Sequence, residues 1–517
     1  MLLVIGAALS AAQAAGARVL RVGSYHGIRG QYQTVQAAVK AAHAGDWILV
    51  GPGDYKTAPS AISSPKGYTK FPAGVLITKA RVHIRGMNRN TVIIDGTKPG
   101  SAVCSRKGSA QNFGYAVKGA KASGVNGLMV WKAPDVSIDN LTACNFLGGS
   151  QDAGNQIWWN GGAGSGNVGG YGFEGSYLNA TSTYFKTEAT AATYGIFSSN
   201  WDGGTWDQTY ASNFNDSGYY IGACRQVCNQ TLNHGHGQYN VLGYSGSNSG
   251  GRLLVENSEF DHNQDGFDTN SQNGDNPPPQ NGACPAGVKP PVAGAPTCWV
   301  FTHNYVHDNN NPDVPSAGSA AAGPVGTGMS LSGARNDTVM NNRFVNNKAW
   351  GMIVIPYTDS GPPCTGGSTN TPIANCLFDQ WGNHVVGNQF GSNGGYGHPS
   401  NGDIGALNLE SGHPNDCYSG NTKIGGGSIT PAGAAALQTT NPTCTTTPSA
   451  TTTSDPQFLP ELLCDTQVSL GSGPPACPTG QYPRLTKVIM HPVPKQKTMP
   501  NPCLDVPGNP WCAKKKA

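Results

Sequence analysis

The chain has 517 residues, with 72 glycines, a charged fraction of 12% and a formal net charge of +3. Globular proteins average roughly 25% charged residues and about 7% glycine, so this chain is rich in glycine and poor in charge. Such a composition favours many short strands joined by tight turns. No basic stripe is interleaved with aromatic residues, which argues against a nucleic-acid-binding surface.

Residues 1–10 form an apolar run that ends in small residues, and Ala15 and Ala17 are suitable cleavage positions. We therefore predict a signal peptide over residues 1–17. No other run approaches the ~18 apolar residues that a membrane span needs. The protein is accordingly expected to be secreted to the extracellular space, without a membrane span.

The cysteines number 14, and several lie close together in the sequence. In an exported protein such cysteines are typical of disulfides that tie loops together. The spacing does not fix the pairing, but sequence neighbours are the simplest partners. Those neighbours are Cys224 and Cys228, Cys284 and Cys298, Cys364 and Cys376, and Cys503 and Cys512.

One helix is predicted near the N-terminus. Thr34 can cap it, Val35, Ala38 and Val39 share one face, and Gly45 can end it. A strand pattern follows at once. Because the first coil of a repeat protein would otherwise expose its core, we predict that this helix caps the N-terminal end of a stack.

A short repeat of the form Asn-x-Phe/Val-x-x-Asn returns through the second half of the chain, among β-runs with no helices between them. Short repeating strands without helices are typical of a β-solenoid, in which coils of ~20 to 25 residues stack in parallel. The Asn residues are expected to form a hydrogen-bonded ladder at one corner, with Phe and Val inside. The repeats lie at residues 256–263, 303–309, 341–347 and 387–393.

These features resemble the right-handed parallel β-helix proteins of the pectate-lyase type. The resemblance covers about residues 25–430 and implies an all-β fold, a right-handed parallel β-helix (β-solenoid) with an N-terminal capping helix. We expect the β-helix to span residues 18–430 and a Pro/Thr-rich, disulfide-tied, irregular tail to span 431–517. The opening motifs that carry the resemblance are Gln33-Thr34-Val35-Gln36-Ala37-Ala38-Val39 and Gly51-Pro52-Gly53-Asp54-Tyr55.

Three carboxylates fall within eight residues of one repeat: Asp261, Asp265 and Asp268. Calcium prefers six to eight oxygen ligands, and Asp265 and Asp268 can offer two carboxylates across the tight turn at Gly266. The segment 265–268 is absent from the other repeats, as expected of an inserted site. The alternative is that these aspartates cap turns and the glycine adopts a positive φ.

The same segment resembles the Asp-Asp-Gly-Phe-Asp calcium motif of the family 9 pectate lyases. The resemblance implies that Asp265 and Asp268 bind calcium, which would hold a uronate carboxylate while a lysine removes the C5 proton. Two positions depart from the motif. Gln264 replaces the first of the paired aspartates, and Ser330 stands at the lysine position. A serine without an activating base is a poor proton acceptor, so no catalytic residue is assigned.

A second set of candidates combines a histidine with aromatic and acidic residues. His236, within Gly-His-Gly, is similar to a motif of the polygalacturonases, although the Arg-x-Lys of that family is missing. Trp206, Asp207 and Tyr219 are residue types that grip sugars by stacking and hydrogen bonding. We predict these four residues as substrate-binding candidates. The alternative is that they are core aromatics and surface turn residues.

The sequence predicts a secreted protein that acts on an extracellular polysaccharide, as a calcium-dependent lyase of a uronate-containing chain. Ca²⁺ is the expected cofactor, with Asp265, Asp268 and Asp261 as ligands, and the protein is expected to be a monomer. One alternative is a non-catalytic carbohydrate-binding or surface structural β-helix. A second is a glycoside hydrolase, which needs two carboxyl groups about 5 to 10 Å apart.

Overall fold

The computed structural model describes residues 16–512, apart from 120, 163–167, 225–226, 274–278, 317, 360–363, 370–373, 410–411, 446–451 and 470–479. Residues 1–15, and with them almost all of the predicted signal peptide, lie outside the described residues.

Short strands dominate the described part of the chain. In chain order they are β1 (Val19–Val22), β2 (Ser24–Tyr25), β3 (Ile28–Arg29), β4 (Trp47–Val50), β5 (Gly53–Lys56), β6 (Ala73–Ile77), β7 (His83–Gly86), β8 (Val92–Asp95), β9 (Asn126–Trp131), β10 (Val136–Asp139), β11 (Thr142–Cys144), β12 (Ile157–Asn160), β13 (Gly170–Tyr171), β14 (Phe173–Ser176), β15 (Asn179–Thr181), β16 (Tyr194–Ser199), β17 (Trp201–Asp202), β18 (Gly204–Ser212) and β19 (Ser217–Gly222). They continue with β20 (Gln230–Gln238), β21 (Leu242–Ser247), β22 (Leu253–Glu256), β23 (Glu259–Asp261), β24 (Asp265–Asn270), β25 (Trp299–Thr302), β26 (Tyr305–His307), β27 (Thr327–Ser332), β28 (Asp337–Met340), β29 (Arg343–Val345), β30 (Trp350–Ile355), β31 (Tyr357–Asp359), β32 (Cys376–Phe378), β33 (His384–Val386), β34 (Gln389–Gly391), β35 (Gly402–Asn408), β36 (Cys417–Ser419), β37 (Thr422–Lys423) and β38 (Thr452–Thr453).

Helices are few. The α-helices are α1 (Val35–Ala41), α2 (Ala432–Thr440) and α3 (Phe458–Ser469), and short 3₁₀ turns lie at Pro59–Ala61, Gly108–Ala110, Glu188–Thr190 and Ser319–Ala322.

Parallel pairing of equivalent strands in successive coils arranges the chain into three faces. Face 1 runs β1–β4–β7–β10–β14–β18–β20–β22–β25–β28–β33–β36, and face 2 runs β5–β8–β11–β15–β18–β20–β23–β26–β29–β34–β37. Face 3 runs β6–β9–β12–β16–β19–β21–β24–β27–β30–β35. Each coil adds one strand, or half of the long strands β18 and β20, to each face. The fold is therefore a right-handed parallel β-helix, as predicted.

The interior is filled by apolar side chains that stack from coil to coil. The repeat residues Phe260, Phe344 and Phe390 are fully buried, as predicted. The rings of Phe344 and Phe390 stack at 5.2 Å, and those of Tyr244 and Phe267 stack at 4.1 Å. Burial of such large apolar surfaces is the main favourable contribution to the free energy of folding.

The predicted asparagine ladder is confirmed at the corner between faces 2 and 3. The side-chain amide of Asn263 donates to Asn309 Oδ1 at 2.9 Å, and that of Asn309 donates to Asn347 Oδ1 at 3.1 Å. Asn347 continues the ladder to Asn393. Each accepting Oδ1 also accepts the backbone N–H of the asparagine one coil earlier. The ladder thereby satisfies buried polar groups that would otherwise cost stability.

The helix α1 begins as predicted after Thr34, whose hydroxyl accepts the Ala37 N–H at 3.2 Å. Its Val35 and Val39 are buried in the main core near the first coils. At the other end of the stack, Leu437 of α2 is buried in the same core. The prediction of an irregular tail after residue 430 is therefore wrong for α2 and α3. Among the described residues of this tail, irregular structure occupies the short connecting segments and residues 480–512.

Residues 480–512, here called the strap, run back along the β-helix toward its first coil. Its backbone N–H groups donate hydrogen bonds to side chains of progressively earlier coils. Thr486 donates to Asp313, His491 to Asn213 and Gln496 to Asn90. At the far end, the Trp511 indole N–H donates to the Ile28 carbonyl at 2.9 Å. The strap thus links the last coils to the first.

The four predicted disulfides are present, and two further disulfides between described residues join Cys104 to Cys144 and Cys417 to Cys444. Within the described residues, every helix is too short or too polar to cross a lipid bilayer.

Candidate functional site

A groove of about 970 Å³ lies on the outer surface of face 3. Its lining includes the segment 318–324 and the side chains of Leu459 and Leu462 from α3, so the tail helix forms part of one border. The groove spans several coils, which makes it long enough for an extended ligand.

One row of outward side chains forms the groove floor, here called the floor row. Side chains alternate between the two sides of a strand, so Phe267 points inward while its neighbour Asp268 points into the groove. Register partners in the strands on either side extend this row across six coils. In order they are Trp158, Phe197, Tyr220, Ser245, Asp268 and Ser330.

The first half of the floor row is aromatic. Trp158 and Phe197 stack nearly parallel at 4.8 Å with an interplanar angle of 8°, and Tyr220 meets Phe197 edge-on at 4.9 Å. Phe71 packs against Trp158 at 5.7 Å. We call these four side chains the aromatic platform. Face 3 separates these side chains from the main core, and they line the groove with 2% to 8% of their surface exposed.

The second half of the floor row is polar, with Asp268 between Ser245 and Ser330, and together with the nearby Asp265 it is called the acidic half of the groove. Asn270 donates its side-chain amide to Asp268 Oδ2 at 2.6 Å, and the Ser332 hydroxyl donates to Oδ1 at 3.4 Å. Burial raises the pKa of Asp268 above its usual value, although these hydrogen bonds partly oppose the shift. The hydrogen bonds therefore hold the carboxyl group in one orientation, and burial disfavours its ionised form.

Asp265 lies beside it with a carboxyl oxygen that has no partner. Its Oδ1 is buried without a hydrogen bond, and burial, reinforced by the charge of Asp268, raises its pKa well above the usual value. The backbone of Gly323 lies close to the Asp265 carboxyl group. A Cβ atom at position 323 would lie only 2.6 Å from Asp265 Oδ2. An orphaned buried acid oxygen in a groove is costly unless a proton, a cation or a ligand satisfies it.

Asp216 is a further groove carboxyl, and it lies outside the four residues predicted for substrate binding. It precedes β19, and the Tyr194 hydroxyl donates to its Oδ2 at 3.0 Å. Burial raises the pKa of Asp216 to about 7. No motif surrounds Asp216. The available signal is positional, because it lies just before a face 3 strand, two coils before Asp265.

Basic side chains are scarce in this groove. Among its described lining residues, Lys70 is the one Lys, Arg or His, and it lies over the Phe71 ring at the aromatic end. Ser330 is the register partner of Asp268, and its hydroxyl lies 2.6 Å from that of Ser332. The position that resembles the catalytic lysine of pectate lyases is thus next to Asp268 but carries no base.

The acidic half fits a calcium ion in part. Asp265 and Asp268 supply carboxylate oxygens, one of them unpaired, and calcium accepts water and substrate oxygens as its remaining ligands. Among the described residues, however, the groups of three His, Cys, Asp or Glu with ligand atoms within 4.8 Å include neither aspartate. The protein would therefore contribute a minority of the ligands.

The structure separates Asp261 from the other two predicted calcium ligands. Asp261 ends β23 on face 2, before the corner at Asn263, and its Oδ1 lies 2.5 Å from His236 Nε2. Asp265 begins β24 after that corner and lies on face 3. The expectation that three carboxylates share one site is corrected accordingly, because the chain turns between them.

The predicted substrate-binding aromatics lie inside the β-helix. Trp206 and Tyr219 are fully buried, and their rings pack against each other at 6.3 Å. They therefore present no surface to a ligand. Asp207 lies at an exposed corner, where its Oδ1 is 2.9 Å from His234 Nδ1. The structure brings none of these residues, nor His236, into the groove.

The fold and the site together define a parallel β-helix with an aromatic and acidic groove on one face. No family model matches the sequence, and no curated protein matches it.

Several solved structures resemble the fold. The A-module of the Azotobacter vinelandii mannuronan C-5 epimerase AlgE6 is 12% identical, with a TM-score of 0.40 over 76% of this chain and 86% of that chain. An alginate lyase from Paenibacillus sp. str. FPU-7 is 12% identical, with a TM-score of 0.33 over 71% and 95%. Pectate lyase Pel9A is 14% identical, with a TM-score of 0.34 over 78% and 74%. At these values the likeness carries no argument about the reaction of this chain.

Proposed function

We propose that the protein binds and cleaves an extracellular polysaccharide along the groove of face 3. The floor row carries this proposal, because it leads from the aromatic platform to Asp268, and Asp265 and Asp216 line the same groove. Aromatic faces stack on the apolar faces of sugar rings, while polar groups orient the hydroxyls. The disulfides agree with an exported protein.

The first candidate reaction is calcium-assisted β-elimination of a uronate-containing chain. Asp265 and Asp268 would hold the calcium, which when bound would neutralise the substrate carboxylate and acidify the C5 hydrogen. The unpaired oxygen of Asp265 supports a cation here. So does the scarcity of basic groups, because a uronate would otherwise face five carboxyl groups in a groove whose one described basic side chain is Lys70.

Asp216 is our candidate for the proton-transferring group. A catalytic acid or base works best with a pKa near the working pH, and burial raises the pKa of Asp216 to about 7. Its hydrogen bond from Tyr194 holds the carboxyl group in place. In β-elimination, the ionised form would accept the C5 proton, and the resulting carboxylic acid could return a proton to the leaving oxygen.

The second candidate reaction is hydrolysis of a neutral glycan. The same observation on Asp216 favours it, because a protonated carboxyl group near neutral pH can act as the general acid while a second carboxylate assists. Asp268 would be that second group. This reaction needs no calcium.

A polysaccharide panel distinguishes these reactions. Wild type and Asp268→Asn are incubated with uronate-rich and neutral polysaccharides, in calcium or in a calcium chelator, with Asp202→Asn outside the groove as the matched control. Ultraviolet absorbance measures unsaturated ends, and a reducing-sugar assay measures all new ends.

Calcium-dependent unsaturated products that are lost in Asp268→Asn but not in Asp202→Asn support the lyase. Calcium-independent reducing ends without unsaturation support the hydrolase. Binding without any cleavage would support the non-catalytic alternative and overturn both reactions.

A further inference from the structure

A second cluster of functional side chains lies on the outer surface of face 2, outside the groove. It combines histidines and carboxylates from three consecutive coils. His236 on β20, Asp261 on β23 and Glu259 on β23 place one ring nitrogen and two carboxylate oxygens within 4.8 Å of one another. The other two described groups of this kind include disulfide-bonded cysteines, which are not available as ligands.

A fourth ligand atom approaches from the next coil. His307 Nε2 on β26 lies 3.0 Å from Glu259 Oε1, and β26 is the direct register neighbour of β23. One imidazole nitrogen and two carboxylate oxygens thus lie close together, and His307 joins this group through Glu259. The four residues together offer two imidazoles and two carboxylates, which are ligand types that zinc accepts in tetrahedral sites.

Outer partners hold these ligands in place. Asp308 Oδ2 lies 2.7 Å from His307 Nδ1, which leaves Nε2 as the ring nitrogen that faces the cluster. The side-chain amide of Gln238 donates to Asp261 Oδ2 at 2.8 Å. A carboxylate behind a ligating histidine is the usual outer support in zinc sites, because it fixes the tautomer and the ring orientation.

Burial and access also suit a bound ion. The Asp261 and His307 side chains are 4% and 11% exposed, whereas Glu259 is 45% exposed. The inner ligands are thus shielded from water, and the outer one leaves a path for entry. Imidazole ligands favour zinc and related transition metals, whereas calcium prefers oxygen ligands alone.

We propose that His236, Glu259, Asp261 and His307 form a site for a divalent transition metal that joins three coils of the β-helix. This site is separate from the groove and does not depend on the reaction proposed there.

Metal titration tests the proposal. Untagged full-length protein with its disulfides intact is freed of metal by chelator dialysis and titrated with ZnCl₂ by calorimetry, and with CaCl₂ in parallel. We expect one zinc per chain and no calcium binding at this site. His236→Gln and His307→Gln should each weaken zinc affinity by at least ~100-fold. Asp308→Asn should weaken it by about 10- to 100-fold, as is typical for an outer partner.

His303→Gln is the matched control, because His303 lies in the same coil as His307 and contacts Thr302 instead of the cluster. Its zinc affinity should stay within about twofold of wild type. Circular dichroism and thermal unfolding without metal confirm that every variant is folded. Absence of zinc binding by wild type, or equal affinity in His236→Gln and His307→Gln, would overturn the proposal and show that the cluster consists of histidine–carboxylate pairs only.

Discussion

Asp268 and Ser330 are direct register partners on adjacent strands of face 3, and the hydroxyl of Ser332 contacts both of their side chains. The position beside Asp268 that resembles the catalytic lysine of pectate lyases is therefore occupied by the neutral side chain of Ser330.

Replacing this serine by lysine tests the calcium proposal. Ser330→Lys would place an ammonium group in the groove beside Asp268, where it competes with a bound cation for the carboxylate. We expect the calcium concentration for half-maximal activity to rise at least ~10-fold, which is about 1.4 kcal/mol. Ser330→Met supplies similar length without charge and should change it little. Equal effects of both variants, measured in calcium titrations of activity, would contradict the role of Asp268 as a ligand.

Asp216 predicts a pH dependence of stability. Its pKa is raised from an ordinary value near 3.9 to about 7, so its contribution to folding is fully present below about pH 4 and is lost as the pH rises through 7. Asp216→Asn cannot ionise, so its gain in unfolding free energy over wild type should grow between pH 5 and pH 8, by no more than ~3 kcal/mol. Urea unfolding in chelator at both pH values measures this. A gain that does not change with pH would contradict the raised pKa.

The aromatic platform predicts a binding defect that differs from a packing defect. Trp158→Leu changes a groove residue, whereas Trp206→Leu changes an interior residue in a neighbouring part of the stack. Both should lower the unfolding free energy, by less than the 3–5 kcal/mol typical of a buried Trp→Ala substitution. At a temperature where both are folded, only Trp158→Leu should weaken polysaccharide affinity. Affinity electrophoresis in polysaccharide-containing gels provides the measurement. Equal retardation of both variants would contradict the proposal that the aromatic platform binds the polysaccharide.

Two disulfides of very different span predict different losses of stability. Cys104–Cys144 closes a separation of 40 residues, and Cys224–Cys228 closes a separation of 4. The loop-entropy relation gives about 4 kcal/mol for the first and about 2 kcal/mol for the second. Double Cys→Ser variants compared by chemical unfolding should follow this order. The reverse order would show that loop closure in the unfolded chain does not dominate their effect.

The repeat pattern was sufficient to predict the β-helix because its signals are local. Asn263 and Phe260 occupy positions that return in each coil, so a ladder and an interior stack follow from the spacing alone. The direction in which an isolated aromatic residue points does not follow, because a shift of one residue turns a side chain to the other side of the sheet. Trp158 and Trp159 are adjacent, yet the first lies in the groove and the second in the interior.

The candidate site was harder to predict because it is assembled across coils. Asp261 and Asp265 are four positions apart but lie on different faces, since the corner at Asn263 turns the chain between them. Asp216 is distant in sequence from Asp268 and reaches the same groove only through stacking. The spacing of residues within one segment predicts neither where the chain turns a corner nor how successive coils align.

The return path of the strap has a consequence for biosynthesis. Trp511 and Cys512 cover Trp47, Leu49 and Met87 on the first coils, although they are translated after every coil has left the ribosome. A nascent chain therefore carries an uncovered apolar patch at its leading end until its last segment arrives. We expect chains that stop early to keep this patch exposed to solvent.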